Sequence, residues 1–277
     1  MEGPGDDAAL LRAAGDLLLT MDPLVEGVHF EVGTAVSRVA HKLLHRNLSD
    51  LAAMGARPRA ILASFVFGPG WTVGQREELY VGLAHECEKM GVSWIGGDLA
   101  STPGPTVLTL CALGSPIADP VPRSGLRPGM NLHVSGPLGG SLASGRHLDF
   151  EARVELGLRL ARDHRPPAMM DLSDGLGLDL SRMLRESGGL GARLYEDRIP
   201  LNADVDSLEG ALGDGEDYEL LFALTEDQEA DLARDPGIPE VAKVVIGRVE
   251  AEPGLRLERE DGGSIPIEET GFEHELS

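Results

Sequence analysis

The tightest restriction on how this chain can fold lies between Thr34 and Met54. At 100° per residue, Val36, Val39, Ala40, Leu43, Leu44 and Leu51 fall on one face of a helix, and Asn47 and Asp50 project from the middle of that same face. An acid on an apolar face is covered by protein once the helix packs. Burying an unpaired carboxylate is very costly, so Asp50 must meet a cation, a metal ion or several donors. A structural ion pair is the plain alternative to a functional role. Gly55 closes the pattern, in the position after a helix where a left-handed residue is wanted.

Alternating strands and helices surround this helix. Leu17 to Asp22 is a short apolar run ending in an acid, Arg59 to Phe67 reads as a strand, and Val73, Tyr80, Leu83, Ala84 and Cys87 mark an amphipathic helix ending before Gly91. Strands follow around Val92 to Ile95 and Val107 to Leu113, giving the order β-α-β-α-β-β. Four prolines between Pro116 and Pro128, with glycines close by, separate this unit from the rest. The expected division is residues 1–120 and 121–277. The second part carries a strand at Leu132 to Ser135, a glycine-rich turn, helices to about Asp163, a strand ending at Asp171 and a helix from Asp174. Later strands are expected around Tyr218 to Leu224, Lys243 to Val249 and Leu255 to Glu258. Both halves are mixed α/β, and no short-period repeat is visible.

Charge narrows the partners. The chain holds 24 Lys+Arg against 46 Asp+Glu, a formal net charge of −22 in 277 residues. Phosphate backbones and anionic headgroups are bound through clustered cations, so nucleic acid and membrane surfaces are disfavoured. Cys87 and Cys111 sit in apolar runs and read as buried, reduced thiols. The first residues lack the basic start and apolar stretch of a secretory signal, and no apolar run approaches the roughly 20 residues that span a bilayer. A cytoplasmic protein is expected.

Three further acids end apolar runs: Asp22 after Leu17 to Met21, Asp98 after Ile95-Gly96-Gly97, and Asp171 after Met169-Met170. Asp171-Leu172-Ser173-Asp174-Gly175 opens a helix, for which Asp174 could be an N-cap. Gly5-Asp6-Asp7 adds a weaker pair near the start. Converging carboxylates form a cavity that is stable only with bound cations, and oxygen-only sites of this kind suit Mg²⁺ with substrate phosphates. Phosphoryl transfer becomes the leading chemistry. The usual phosphate loops and kinase motifs are absent from the sequence, as are a zincin helix and a nucleophile elbow. Gly136-Pro137-Leu138-Gly139-Gly140-Ser141 could offer backbone N–H groups to an anion, or be a plain turn. His29, taken alone, reads as a surface or capping histidine.

Five motifs in order then carry a resemblance. They are Thr20-Met21-Asp22-Pro23-Leu24-Val25-Glu26-Gly27-Val28-His29-Phe30, Asn47-Leu48-Ser49-Asp50-Leu51-Ala52-Ala53-Met54-Gly55, Gly96-Gly97-Asp98, Asp171-Leu172-Ser173-Asp174-Gly175, and Gly215-Glu216-Asp217-Tyr218-Glu219-Leu220. Together they span nearly the whole chain, and the set resembles the thiamine-monophosphate kinase family within the aminoimidazole ribonucleotide synthetase-like superfamily. The resemblance implies an α/β (α+β) fold of two domains, with the N-terminal domains of a homodimer pairing their sheets into a barrel. It implies ATP-dependent phosphorylation of thiamine monophosphate to thiamine diphosphate, with several Mg²⁺ ions, in clefts lined partly across the dimer. By motif, Asp7, Asp22, Asp50, Asp98, Asp171 and Asp174 would hold Mg²⁺, with Asp6 an alternative to Asp7. Thr20, Gly97, Asp98, Arg123 and Ser173 would contact ATP, and His29, Glu216 and Phe272 would lie on the thiamine phosphate side. The acceptor is already an anion near neutral pH, so no general base is implied.

The chain departs from the family pattern in places. Family members carry a segment before the Gly-Asp-Asp motif, whereas Met1 lies only a few residues upstream here, so a shortened or late-starting chain is expected. Met21 and Leu99 stand where hydroxyl residues are common. Glu269 stands where an aromatic is often found, near Gly271-Phe272-Glu273-His274-Glu275. Two other functions stay open at this point. One is a sister ATP-dependent activity of the superfamily, and the other a nucleotide-binding relic without transfer.

Overall fold

The computed structural model describes residues 9–12, 15–203, 205 and 207–267. Five strands form a first sheet: β1 (Ala9–Arg12), β2 (Asp16–Val25), β3 (Ala56–Phe67), β4 (Ser93–Ser101) and β5 (Val107–Pro116), in the order β1-β2-β5-β3-β4. Only β3 and β4 run parallel, and the other pairs are antiparallel. Two helices, α1 (Val36–Ala53) and α2 (Val73–Met90), pack together over one face of this sheet. Alternation along the strands explains why. Leu18, Leu24, Ile61, Phe65, Leu108 and Leu110 point to the helices and are buried, whereas Met21 and Leu62 point away and are exposed. At the start of α2, Thr72 and Gln75 form a reciprocal capping box.

The second sheet has seven strands. These are β6 (Asn131–Val134), β7 (Ala168–Asp171), β8 (Gly191–Tyr195), β9 (Leu220–Leu224), β10 (Gly247–Glu250), β11 (Gly254–Glu258) and β12 (Ser264–Pro266), in the order β12-β11-β8-β10-β6-β9-β7. Its helices are α3 (Ser141–Ser144), α4 (Val154–Arg159), α5 (Leu176–Glu186), α6 (Leu208–Gly213) and α7 (Glu226–Arg234). Leu176, Leu180, Met183 and Leu184 of α5 fill a core on one face of this sheet. Met169, Leu220, Phe222 and Leu224 on the other face join the core that α1 shares with the first sheet. Helix α1 is therefore wedged between the two sheets, with Lys42, His45, Asn47 and Ser49 buried among its leucines. That placement is what the apolar face carrying Asn47 and Asp50 required.

Several local expectations need correction. Asp22 and Asp98 do not end their strands, because β2 continues to Val25 and β4 to Ser101. Pro23 is tolerated in β2 because β1 pairs only as far as Leu19, so past that point β2 has β5 alone beside it among the described residues. In β4 the register shifts opposite Ile61 and Leu62, leaving Ile95 out of the pairing, and Gly97 then runs against β3 so closely that a Cβ would stand 1.9 Å from the Ala63 carbonyl oxygen. Helix α5 begins at Leu176 after Gly175 and has no side-chain cap, so Asp174 is not its N-cap. Strands β1, β8 and β12 were not expected from the sequence.

Candidate active site

The site grows out of α1. One turn of this helix faces β2: the Asn47 side-chain oxygen accepts the backbone N–H of Asp22 at 3.0 Å, and the Thr20 hydroxyl donates to Asp50. The Asn47 amide is held in turn by the Leu43 carbonyl at 3.0 Å. On its other side α1 faces the second sheet, where the Ser49 hydroxyl donates to the buried Asp171 carboxylate at the end of β7 at 2.7 Å. Asp22, Asp50 and Asp171 are thus fixed from three elements around one stretch of helix.

The turn after β7 brings Ser173 and Asp174 to the same cleft. Asp179 of α5 accepts the backbone N–H groups of both, at 3.0 and 2.9 Å, and Arg182 bridges Asp179 and Asp174. Burial pushes the Asp179 carboxyl up to about 7, helped by the Asp174 charge and opposed by Arg182 and Arg123.

Opposite lies the segment 215–218, in which Gly215, Glu216 and Tyr218 all adopt left-handed backbone, at φ of 70°, 54° and 51°. Such conformations cost non-glycine residues on the order of 1 kcal/mol each and persist only where the surroundings enforce them. Here they are enforced. Lys42, fully buried on α1, donates to both Glu216 oxygens at 2.7 and 2.8 Å, to the His29 carbonyl at 2.7 Å, and stands 2.7 Å from His147 Nδ1. Tyr218 stacks on Phe150 at 4.0 Å. Burial alone would raise the Glu216 carboxyl, but the His147 hydrogen bond and the charge and hydrogen bonds of Lys42 prevail and hold it at about 2. Burial pulls the Lys42 ammonium down to about 8 against the opposing pull of Glu216, so the pair is charged at neutral pH.

Val28, His29, Arg46, Leu142, Ser173, Asp174, Asp214, Glu216 and Tyr218 line the resulting cleft. His29 is buried, and its Nδ1 accepts the Val25 N–H at 3.0 Å, a turn contact that leaves its ring at the cleft wall. The glycine-rich turn before α3 does bind anions, but they belong to the chain. Gly139 N–H donates to Asp217 and Gly140 N–H to Asp214.

Of the residues expected from the sequence, Thr20, Asp22, Asp50, Asp171, Ser173, Asp174, His29 and Glu216 gather here. Gly97 and Asp98 do not join them within the chain. Strand β4 is separated from β2 by β5 and β3, a span of roughly 14 Å at 4.8 Å per strand. They line instead an edge groove with Phe65, Tyr80, Trp94 and Leu99. Asp7 and Phe272 lie outside the described residues. Sequence reasoning missed Lys42, Arg46 and Tyr80. Lys42 and Arg46 flank the apolar stripe of α1 and read as solvated charges, while Tyr80 reads as core.

A fold of two α/β units around such an acid-lined cleft defines a class. The family model "AIR synthase related protein, N-terminal domain" matches residues 5–115. The hydrogenase maturation protein HypE, solved in complex with ATP, superposes with a TM-score of 0.77 at 20% identity, covering 99% of this chain and 91% of that one, a likeness of fold. Nearer relatives are more specific. A thiamine-monophosphate kinase of Rhodopirellula baltica is 34% identical, over 91% of this chain and 84% of that protein. The structure of AaThiL complexed with AMPPCP and TMP superposes with a TM-score of 0.84 at 29% identity, covering 98% of this chain and 91% of that one. The chain belongs to the thiamine-monophosphate kinase family.

Proposed function

We propose that this chain transfers the γ-phosphoryl group of ATP to thiamine monophosphate, giving thiamine diphosphate and ADP. The observation that carries this reading is the holding of Asp22, Asp50 and Asp171 around one stretch of α1, with Asp174 in the cleft that His29 and Glu216 line. The acid set offers oxygen donors alone, with Thr20 and Ser49 hydroxyls orienting Asp50 and Asp171, which is donor chemistry that fits Mg²⁺. Asp22, Asp50, Asp171 and Asp174 would hold the ions, with Asp7 and Asp98 as further ligands. Mg²⁺ so held supplies positive charge to the transferring phosphoryl group.

The acceptor, a phosphate monoester with a second pKa of about 6, presents an anionic oxygen at neutral pH. That oxygen attacks the γ-phosphorus as the bond to the bridging oxygen of ADP breaks, and no proton need be removed. The chain's own work is positioning. Lys42 fixes Glu216, the Tyr218–Phe150 stack fixes the backbone beside it, and Asn47 fixes Asp22. The edge groove beside Gly97 and Asp98, walled by Phe65, Tyr80 and Trp94, suits the adenine base.

The distance between that groove and the acid cluster supports a homodimer with sites completed across it. The face of the first sheet away from the helices is uncovered, with Met21 64% and Leu62 42% exposed, and the edge strand β4 exposes Ile95 and Leu99 at 59% and 60%. Open apolar sheet faces and edges call for a partner, here a second copy. We read residues 1–120 as the nucleotide-binding and dimerisation unit and 121–277 as the second unit. The ATP requirement and the anionic surface fit a cytoplasmic enzyme, and no described helix is long and apolar enough to cross a membrane.

Incubating the purified protein with thiamine monophosphate, ATP and Mg²⁺ should yield thiamine diphosphate and ADP in equal amounts. A folded protein that forms neither product would overturn the reading.

A further inference from the structure

Arg46 lies near Asp22, Asp50 and Glu216 and is poorly served by them. Its side chain is 15% exposed, and its Nε lies 3.4 Å from an Asp22 oxygen without hydrogen-bond geometry. Both Nε and Nη1 are shielded from solvent and have no hydrogen-bond partner among the described residues. A guanidinium cannot shed its proton, so buried donors of this kind are costly unless something accepts from them.

Elsewhere the same chain pairs its arginines fully. Arg38 grips Asp149, Arg153 grips Glu219 and Arg159 grips Asp235, each through two nitrogens onto two oxygens. Arg46 has Asp22, Asp50 and Glu216 close enough for their charges to act on it, yet forks onto none of them. An arginine kept only to balance those acids would close such a fork. Its cleft neighbours are His29, Ser173, Asp174, Glu216 and Tyr218, so the Arg46 side chain borders the cleft beside Glu216.

We propose that Arg46 binds the phosphate of the acceptor, a tetrahedral phosphate monoester dianion, through its guanidinium, which closes no fork onto the chain. This rests on the kinase reading above. The Nη1 and Nη2 end of a guanidinium matches two phosphate oxygens, and its charge holds the acceptor in a cleft that also carries Asp174, Asp214 and Glu216. Arg46 thus does at the acceptor what metal ions would do at the donor.

Calorimetric titration of the full-length protein with thiamine monophosphate, and with thiamine as the control lacking the phosphate, tests the assignment in Mg²⁺ and again in EDTA. Arg46→Gln should weaken thiamine monophosphate binding about ten- to a hundredfold, the range for a lost charge-assisted contact, while leaving the affinities for thiamine and for a non-hydrolysable ATP analogue unchanged. In turnover, KM for the acceptor should rise and KM for ATP should not. Arg46→Lys keeps the charge without the fork and should fall between the two. It also serves if the glutamine variant does not fold. A folded variant that binds thiamine monophosphate as the wild type does in both buffers would overturn the role of Arg46. Wild-type protein that binds no thiamine monophosphate in either buffer would overturn the kinase reading itself, which separates the two failures.

Discussion

Two residues of α1 carry opposite expectations. Asp50 accepts the Thr20 hydroxyl, and an amide oxygen can accept the same bond, so Asp50→Asn should fold with a melting temperature within a few degrees of wild type. On the proposed reading Asp50 would hold Mg²⁺, and loss of its charge should nonetheless cut kcat by at least about a hundredfold. An Asn variant that unfolds would show that the acid is structural. Lys42 is the reverse case. It donates to both oxygens of Glu216, whose side chain is only 14% exposed, so Lys42→Met strands a carboxylate and should cost about 3–5 kcal/mol in urea unfolding. Adding Glu216→Gln should restore much of that loss, because the neutral amide no longer needs the ammonium. If the two substitutions simply add, the pair is not coupled and the positioning role fails.

At the scale of elements, α1 and the segment 145–153 form one device. Arg38 binds Asp149, His41 Nε2 donates to the Phe150 carbonyl at 2.7 Å, and His45 Nδ1 accepts the Ala152 N–H at 3.1 Å. His41, His45 and Glu86 stand close enough to hold a metal ion, but a His45 ring that accepts at Nδ1 carries its proton on Nε2 and has no lone pair to give. Burial, reinforced by stacked His41 at 4.1 Å, pushes His45 down to about 4, with Glu151 and Glu86 opposing. The folded value lies below the ordinary 6.5, so the unfolded chain binds more protons between about pH 4 and 6.5 and stability falls as pH drops through that window. Going from pH 7 to pH 5 should cost about 2 kcal/mol through this residue. His45→Asn, which can still accept from Ala152, should flatten that slope in urea titrations. An unchanged slope would exclude His45 as its source. Helix α1 was legible in the sequence because its period is set by leucines and alanines facing a core, whereas in α2 the buried face is Leu79, Leu83 and Cys87, and Val73 and Ala84 of the expected face are exposed. Strand β8 was not, because Gly191-Ala192-Arg193-Leu194-Tyr195 is short and Arg193 is carried there by Glu250 and Glu258 from distant strands. The acids were readable as candidates from residue type and neighbours. Arg46 was not, since a charge beside an apolar stripe normally faces water, and its neighbours here, Ser173, Asp174, Glu216 and Tyr218, come from distant parts of the chain. Within β4, a Cβ on Gly97 would meet the Ala63 backbone rather than a side chain that can yield. Gly97→Ala should therefore displace the strand and raise KM for ATP about tenfold or more, with little change in KM for thiamine monophosphate.

The whole molecule decides where Asp98 works. Local sequence marks it as a ligand, but sheet order, which no motif encodes, puts β4 at the opposite end from β2. A single chain therefore holds Asp50 and Asp98 in separate places, and the uncovered sheet face offers the way to join them. In a two-fold dimer the contact is reciprocal, so Asp98 of each protomer would complete the cluster of the other. Mixing subunits tests this without disturbing the interface. Each of Asp50→Asn and Asp98→Asn alone should be nearly inactive. In a heterodimer of the two, one site combines both substitutions and the other neither, so one intact site is regenerated. Random exchange makes half the dimers mixed, each with one working site of two, and activity should return to about a quarter of wild type. A site contained within one chain would regain nothing on mixing. Substituting Met21 or Leu62 on the open face by Glu should yield monomers in sedimentation, with the isolated chains folded and inactive.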